Sequence, residues 1–360
     1  MRFALLGTRG IPARYGGFET FAEELSRRLV ARGHQVRVYC RNRHEGGSRY
    51  LGVDLCYLPT IRHKYLDTIA HTFVSTLHLL FHRVDAALYC NGANAVFTVL
   101  PRLAGMRVAL NVDGLERRRK KWNRLAKAWY HLSEWLATFC PNVVVTDAEK
   151  IREYYLERYG KQSVFIPYGA ETGKTPATDV LRRLGLEPGR YFLYVSRMEP
   201  ENNALMVREA FERARVDLQL ALVGDAPYSG DYIRRVRETR DSRIVMPGAV
   251  YGEGYRQLTS HCFAYIHATE VGGTHPALIE AMGRGAVTLY YDVPENAEVA
   301  GGVGIPFRDD LTEKIEAVAR MADAERSEYS RRAEERVRER YGWESVTDAY
   351  ESLLCRLAGG

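Results

Sequence analysis

The strongest constraint on this chain is a hydrophobic pattern that switches repeatedly between short apolar runs and helical spacing. Arg2–Leu6 reads as a buried strand closed by Gly7. From Phe18 the apolar residues (Phe21, Ala22, Leu25, Leu29) fall on one helical face, with Glu and Arg opposite. Gly33 suits the helix stop and Gln35–Cys40 the next strand. Val53–Leu58, Asp85–Cys90, Arg107–Val112, Asn142–Thr146 and Ser163–Ile166 repeat the strand pattern, mostly with helical patterns between them. Such alternation predicts a parallel sheet covered on both faces. Residues 168–190 break the rhythm, apart from a small helix expected at Val180–Leu184. A second series then runs through Tyr191–Ser196, Leu218–Gly224, Arg243–Met246, Cys262–His267 and Ala286–Tyr290. Helices are expected at Leu311–Ala324, on through Arg340, and at Trp343–Leu357. The expectation is an α/β chain of two doubly wound domains, 1–167 and 168–342, with 343–360 crossing back to the first. Ligands of such sheets sit beyond the carboxyl ends of the strands, so a cleft between the domains is the expected site.

A length of 360 residues allows each domain its own core. With 46% hydrophobic and 27% charged residues, a disordered or low-complexity chain is excluded. The charge is uneven. Residues 1–167 hold 26 Lys+Arg against 14 Asp+Glu, a net +12, whereas the remainder is net −6. A basic half suits an anionic partner such as nucleic acid, membrane headgroups or a phosphorylated substrate. The six scattered cysteines, without a C-x-x-C pair, read as buried thiols and give no zinc site. The best apolar stretch, Thr68–His82, contains three histidines and falls short of the ~20 residues of a span. Phe3–Leu6 is too short for a leader, so a cytoplasmic protein is expected.

Four loops carry chemistry. Gly7 through Thr20 follows the first strand, and its Gly16-Gly17 pair enters a helix whose N-terminus favours a phosphate. The G-x-G-x-x-G spacing of a dinucleotide site is absent, and the glycines alone also fit a tight turn. Asn111-Val112-Asp113-Gly114-Leu115-Glu116 places carboxylates at a strand end, where they accept a proton from an attacking hydroxyl or cap a helix. Arg197 follows Tyr191–Ser196 and suits either a diphosphate or a surface ion pair. Gly272-Gly273-Thr274-His275 opens a helix carrying Glu280, a carboxylate able to hold paired ribose hydroxyls; His275 by itself also fits a structural place.

In this order the motifs resemble retaining nucleotide-sugar glycosyltransferases of family 4. The resemblance runs through Gly16-Gly17, Ile166-Pro167-Tyr168-Gly169, Leu222-Val223-Gly224-Asp225, Glu280-Ala281-Met282 and Tyr341-Gly342-Trp343-Glu344. It is closest to a subgroup marked by G-T-R-G-I-P-x-x-Y-G-G-F-E-T, V-D-G-L-E, P-E-N-N and G-G-T-x-P, which includes rhamnosyltransferases of bacterial polysaccharide assembly. The resemblance implies a GT-B architecture of two Rossmann-like domains facing a cleft, with an N-terminal acceptor domain and a C-terminal donor domain. Two positions depart from the wider family. Gly272 stands where a first glutamate precedes Glu280, and Asn202 where a lysine follows Arg197.

What the resemblance implies about roles is as follows. A nucleoside diphosphate sugar, dTDP-rhamnose being favoured, serves as donor substrate, and no cofactor is needed. The implied donor-binding residues are Gly16, Gly17, Asn202, Gly248, Val250, Gly272, Gly273, Thr274, His275 and Glu280, with Glu280 on the ribose and Pro247–Val250 along the base. Arg197 and loop amides stabilise the departing diphosphate without metal, and no Asp-x-Asp pair occurs. Asp113 orients or deprotonates the acceptor, with Glu116 secondary, while Arg9, Arg14 and Glu19 lie on the acceptor side. The segment 117–136 is expected to be helical, with Trp122, Leu125, Trp129, Leu132 and Leu136 as one stripe and Lys120, Arg124, Lys127 and His131 as another. That pattern fits an anionic membrane at the inner face, hence a lipid-linked acceptor, and equally a stripe packed in the core. Competing readings are a nucleotide-sugar epimerase of the same fold and a non-catalytic nucleotide-sugar-binding protein. Nucleic-acid binding lacks any recognisable module.

Overall fold

The computed structural model describes residues 1–13, 16–41, 47–63, 66–119, 122–226 and 229–359. It separates into two compact units: Met1–Tyr168 with Trp343–Gly360, and Gly169–Gly342.

In the first unit the chain runs β1 (Arg2–Leu6), α1 (Gly17–Ala31), β2 (Gln35–Cys40), β3 (Arg49–Tyr50), β4 (Val53–Tyr57) and α2 (Asp67–Phe81). It continues through β5 (Ala86–Cys90), α3 (Val99–Leu103), β6 (Arg107–Asn111), α4 (Arg124–Ala137), β7 (Val143–Thr146), α5 (Glu149–Tyr159) and β8 (Val164–Phe165). The sheet order is β3-β4-β2-β1-β5-β6-β7-β8, parallel except for the β3–β4 hairpin. Central β1 sets Leu5 against Val38 on one side and Leu88 on the other. Every residue of β5 is buried, as a strand covered on both faces requires.

The second unit runs α6 (Asp179–Leu184), β9 (Tyr191–Val195), α7 (Ala204–Arg213), β10 (Gln219–Val223), α8 (Gly230–Arg237), β11 (Ile244–Gly248), α9 (Gly252–His261) and β12 (Ala264–His267). It ends with α10 (Pro276–Gly283), β13 (Val287–Tyr291), α11 (Pro294–Ala300), β14 (Ile305–Phe307), α12 (Leu311–Ala319) and α13 (Asp323–Arg340). Its sheet, β11-β10-β9-β12-β13-β14, is parallel throughout. The last helix, α14 (Trp343–Gly359), belongs to the first unit and packs on α1, β5 and β6. Tyr350 meets Phe21 at a ring distance of 5.1 Å, and Arg32, which caps the end of α1, binds Glu344, Asp348 and Glu351.

The two-sheet α/β architecture matches the expectation, with differences of detail. Most expected strands are trimmed by a residue or two, and the short β3 and β14 carry too few residues to show a period. The helix expected over Leu311–Ala324 stops at Ala319, because Met321 turns back to the Val318 carbonyl and Ala322 is extended. The helix expected from residue 117 starts at Arg124, where the Asn123 side chain caps the Ala126 amide. Lys120 and Lys121 lie outside the described residues. The expected apolar stripe is divided: Leu125 and Leu132 are exposed, whereas Trp122, Trp129 and Leu136 are half-buried, and Trp135 and Phe139, outside the stripe, are exposed as well. None of the six cysteines forms a disulfide. Among the described residues no helix is long and apolar enough to cross a membrane.

Candidate active site

In the second unit the turn after β9 carries Arg197, half-buried. Asn202 fixes that turn by donating from Nδ2 to the Arg197 carbonyl (2.7 Å), while Tyr194 donates to the Asn202 carbonyl (2.6 Å). The next residue, Asn203, adopts the left-handed conformation (φ +59°) that asparagine tolerates better than most side chains. Its Nδ2 donates to the Ala268 carbonyl and to Glu270 Oε1, both at 2.9 Å. The Glu270 amide donates to the Glu201 carbonyl (3.0 Å). Because β9 and β12 are neighbours, these bonds join the loops that follow them. The joined loops carry Arg197 and the buried Gly272-Gly273-Thr274-His275 segment, which enters α10 with Pro276 in its first turn. Glu280 is half-buried on that helix. His275 Nδ1 lies 2.6 Å from Asn296 Oδ1. The partial positive charge of a helix N-terminus, together with an arginine, favours an anion.

Two glycines hold the strand ends together. A Cβ on Gly224 (φ +150°) would lie 1.8 Å from the Ser196 carbonyl oxygen. Gly248 (φ +84°) ends β11 and accepts from the Gly224 amide (2.9 Å). Val250 packs against the apolar cluster that contains Val180 and Leu181.

In the first unit the loop after β1 is tied to α1. Arg9 donates its amide to Glu19 Oε1 (2.9 Å), and Ala13 donates to Glu23 Oε2 (2.7 Å). Gly16 is the extended residue before the helix and Gly17 its first residue. Glu19 is thus engaged by its own loop, and the Arg9 guanidinium lies 3.9 Å from Asp67, which Arg41 also binds (2.7 Å). Arg14 lies outside the described residues.

Asp113 follows β6 in the left-handed conformation (φ +58°). Its amide donates to Asn111 Oδ1 (2.9 Å), and Asn111 Nδ2 donates to the hydroxyl of Tyr350 on α14 (2.8 Å). Burial, followed by the charge of Glu116, raises the Asp113 pKa above the usual carboxylate range; Arg119 and a hydrogen bond with Asp147 oppose the shift. Glu116 is bound by Arg119 (2.5 Å) and accepts from Trp122 Nε1 (3.3 Å). Arg117, from the basic run, is held at 2.9 Å by the buried Glu134, which also accepts from Tyr154 and Tyr159. These arginines brace the segment after Asp113 and are not a solvated face.

The fold therefore gathers Arg197, Gly272, Gly273, Thr274, His275 and Glu280 on one edge of the second unit, with Asn202 bracing Arg197 and Gly248 and Val250 two strands away. It gathers Arg9, Gly16, Gly17 and Glu19 after β1, and Asp113 and Glu116 after β6, two strands along the same sheet edge of the first unit. The motif reading gave no role to Asn111 and Asn203, which stood inside its motifs, and passed over Asp147 and Asn296. Only Asn203 had a signal, since one of two adjacent asparagines readily takes a left-handed turn.

Residues 15–174 match the Glycosyltransferase Family 4 domain, and residues 189–324 match the Glycosyl transferases group 1 domain. No curated protein matches in sequence. Among solved structures, Anabaena HepE in complex with UDP and glucose is similar, with 15% identity, a TM-score of 0.80, and coverage of 99% of this chain and 100% of that one. Sucrose-phosphate synthase from Thermosynechococcus elongatus is similar at 17% identity and a TM-score of 0.78, over 99% and 98% of the two chains. WaaG, a glycosyltransferase involved in lipopolysaccharide biosynthesis, aligns over 100% of both chains at 17% identity and a TM-score of 0.73. The chain thus carries a segment that matches the Glycosyltransferase Family 4 domain followed by one that matches the Glycosyl transferases group 1 domain, on the GT-B fold.

Proposed function

We propose that this chain is a retaining, metal-independent glycosyltransferase that moves a sugar, rhamnose from dTDP-rhamnose being favoured, onto a lipid-linked sugar in surface polysaccharide assembly. The observation that carries the reading is the joining of the Arg197 and Gly272–Thr274 loops through Asn203 and Glu270. It brings the loop that carries Arg197 beside the loop that enters α10, an arrangement suited to a diphosphate whose charge grows as the glycosidic bond breaks. In this reading the second unit holds the donor, with Glu280 on the ribose. The first unit holds the acceptor, with Asp113 as the group that receives or orients the hydroxyl proton. A carboxylate whose pKa is raised toward neutrality is a better base than an ordinary one. UDP and glucose in Anabaena HepE make a UDP-sugar the second donor to test.

The membrane side of the proposal rests on the layer formed by α2, α3 and α4. Phe73, Leu77 and Phe81 on α2, Leu103 on α3, and Leu125, Leu132, Trp135 and Phe139 on or just after α4 are all exposed. Arg83 reaches the Ala104 carbonyl, and Arg102 binds the Phe139 carbonyl, so the ends of the three helices are stitched together. The carboxylates of these helices, Asp67 and Glu134, are held by Arg41 and Arg117. An apolar surface flanked by Arg124 and Lys127 and without a free carboxylate on its helices complements an anionic bilayer.

A thermal-shift panel of nucleotide sugars, followed by transfer assays, tests the donor. Asp113→Asn is expected to cut turnover while leaving donor binding intact; unchanged turnover removes Asp113 from the chemistry. Flotation with anionic liposomes at low salt tests the membrane surface, and absence of binding refutes it.

A further inference from the structure

We propose that His275 is the positioning residue of the donor loop: Asn296 locks its imidazole, and the ring sets the path of Gly272–Thr274 by occupying the space beside Gly272. The inference rests on the donor reading above and concerns how the site is built.

Asn296 is fully buried, and both of its amide hydrogens are committed. Nδ2 donates to the Thr269 carbonyl (3.0 Å) and to the Tyr291 carbonyl (2.8 Å). Oδ1 is therefore the atom that faces His275 Nδ1 at 2.6 Å, and an amide oxygen only accepts. His275 must carry a proton on Nδ1, which in the neutral ring leaves the lone pair on Nε2. The opposite edge of the ring is equally constrained. A Cβ on Gly272 would lie 2.1 Å from His275 Nε2 and 2.7 Å from Cδ2. No side chain fits between ring and backbone, so the chain can follow this path only with glycine at 272. The His267 ring, 4.9 Å away, closes off another side. Asn296 thus works through His275 on the backbone of Gly272–Thr274, whose amides the donor reading assigns to the diphosphate. The departure from a glutamate at position 272 and the presence of histidine at 275 become one structural fact, because the imidazole and any side chain at 272 compete for the same volume.

The test is a four-variant set, Gly272→Ala, His275→Ala, Asn296→Ala and Gly272→Ala/His275→Ala, followed by melting temperature and by titration with UDP and dTDP. His275→Ala and Asn296→Ala are expected to weaken binding of the nucleoside diphosphate that the wild type prefers by tenfold or more, with the folded state retained. Gly272→Ala is expected to do the same and to lower the melting temperature. The double variant should then behave as His275→Ala alone, since the obstacle to a Cβ at 272 has gone. Unchanged binding by the folded single variants overturns the proposal, as do fully additive losses in the double variant. If the wild type binds neither nucleotide, the donor reading fails. The melting-temperature cycle of Gly272→Ala and His275→Ala then still decides whether ring and glycine are coupled.

Discussion

Replacing Tyr350 with phenylalanine probes how the last helix supports the proposed base. Tyr350 is fully buried and Asn111 nearly so. The hydroxyl is the acceptor for Asn111 Nδ2 at 2.8 Å, and Asn111 Oδ1 in turn receives the Asp113 amide at 2.9 Å. The ring itself stays packed on Phe21 in the variant, so little apolar contact is lost. What remains is a buried amide N–H without its partner, at a cost of about 1–3 kcal/mol. The melting transition of the first unit should fall by several degrees, roughly 2–4 °C per kcal/mol for a unit of this size. The freed Asn111 side chain also loosens its hold on the strained backbone of Asp113, so kcat should fall while donor KM stays constant. Asn111→Ala removes both bonds and should be the more damaging single change. Adding Tyr350→Phe to it should then cost less than about 0.5 kcal/mol more, because the two act through one contact. Urea unfolding and steady-state kinetics on the three variants provide the measurements. A stability loss below about 0.5 kcal/mol for Tyr350→Phe, or full additivity with Asn111→Ala, would refute the linkage from α14 to Asp113.

Arg32→Ala should destabilise the docking of α14 by about 1–2 kcal/mol at neutral pH, since one guanidinium meets three carboxylates and is itself partly exposed. The Glu351 pKa is lowered by His34 and then Arg32, and that of Glu344 chiefly by Arg32. Lowered carboxylate values stabilise above the unfolded pKa of about 4.3 and lose that effect as pH falls through the folded values, so wild-type and variant melting curves should converge in acid. Glu116→Gln removes the like charge that helps raise the Asp113 pKa, so the acid limb of the kcat–pH profile should shift to lower pH; a shift upward would contradict the assignment. Gly224→Ala combines a forbidden backbone angle with a collision at the Ser196 carbonyl and should cost about 3 kcal/mol or more, read as loss of soluble, cooperatively melting protein.

Much of the architecture was legible because β1, β2, β5, β6, β9, β10 and β12 are apolar runs closed by turn residues and separated by amphipathic helices. Elements of two or three residues such as β3 and β14 hold no period to read. On α4 the helix was legible but its orientation was not. Trp129 and Trp135 are equally apolar, and only packing against the rest of the unit decides that one turns inward and the other out. The same limit applies to the candidate site. Arg197, Gly273 and Asp113 stand at strand ends and could be picked by position. Asn202 and Asn203 are chemically identical, yet one braces the Arg197 carbonyl and the other crosses to the loop after β12. That division follows from backbone angles that a string of residues does not display. Asn296 sits more than twenty residues from its partner Thr269, and its role depends wholly on the β12–β13 pairing that brings the loop after β12 beside the first turn of α11.

The placement of α14 has a consequence for biosynthesis. The helix completes the first unit, but it emerges from the ribosome only after the whole of Gly169–Gly342 has been made. At roughly 5–20 residues per second, those 174 residues take on the order of ten to thirty seconds. Throughout that interval the nascent first unit has its sheet but not Tyr350, and the apolar faces of β5 and β6 await their cover. Asp113 therefore acquires its support last, so a chain stalled anywhere in the second unit displays a nearly finished but unlatched first unit, which is the form a chaperone would meet.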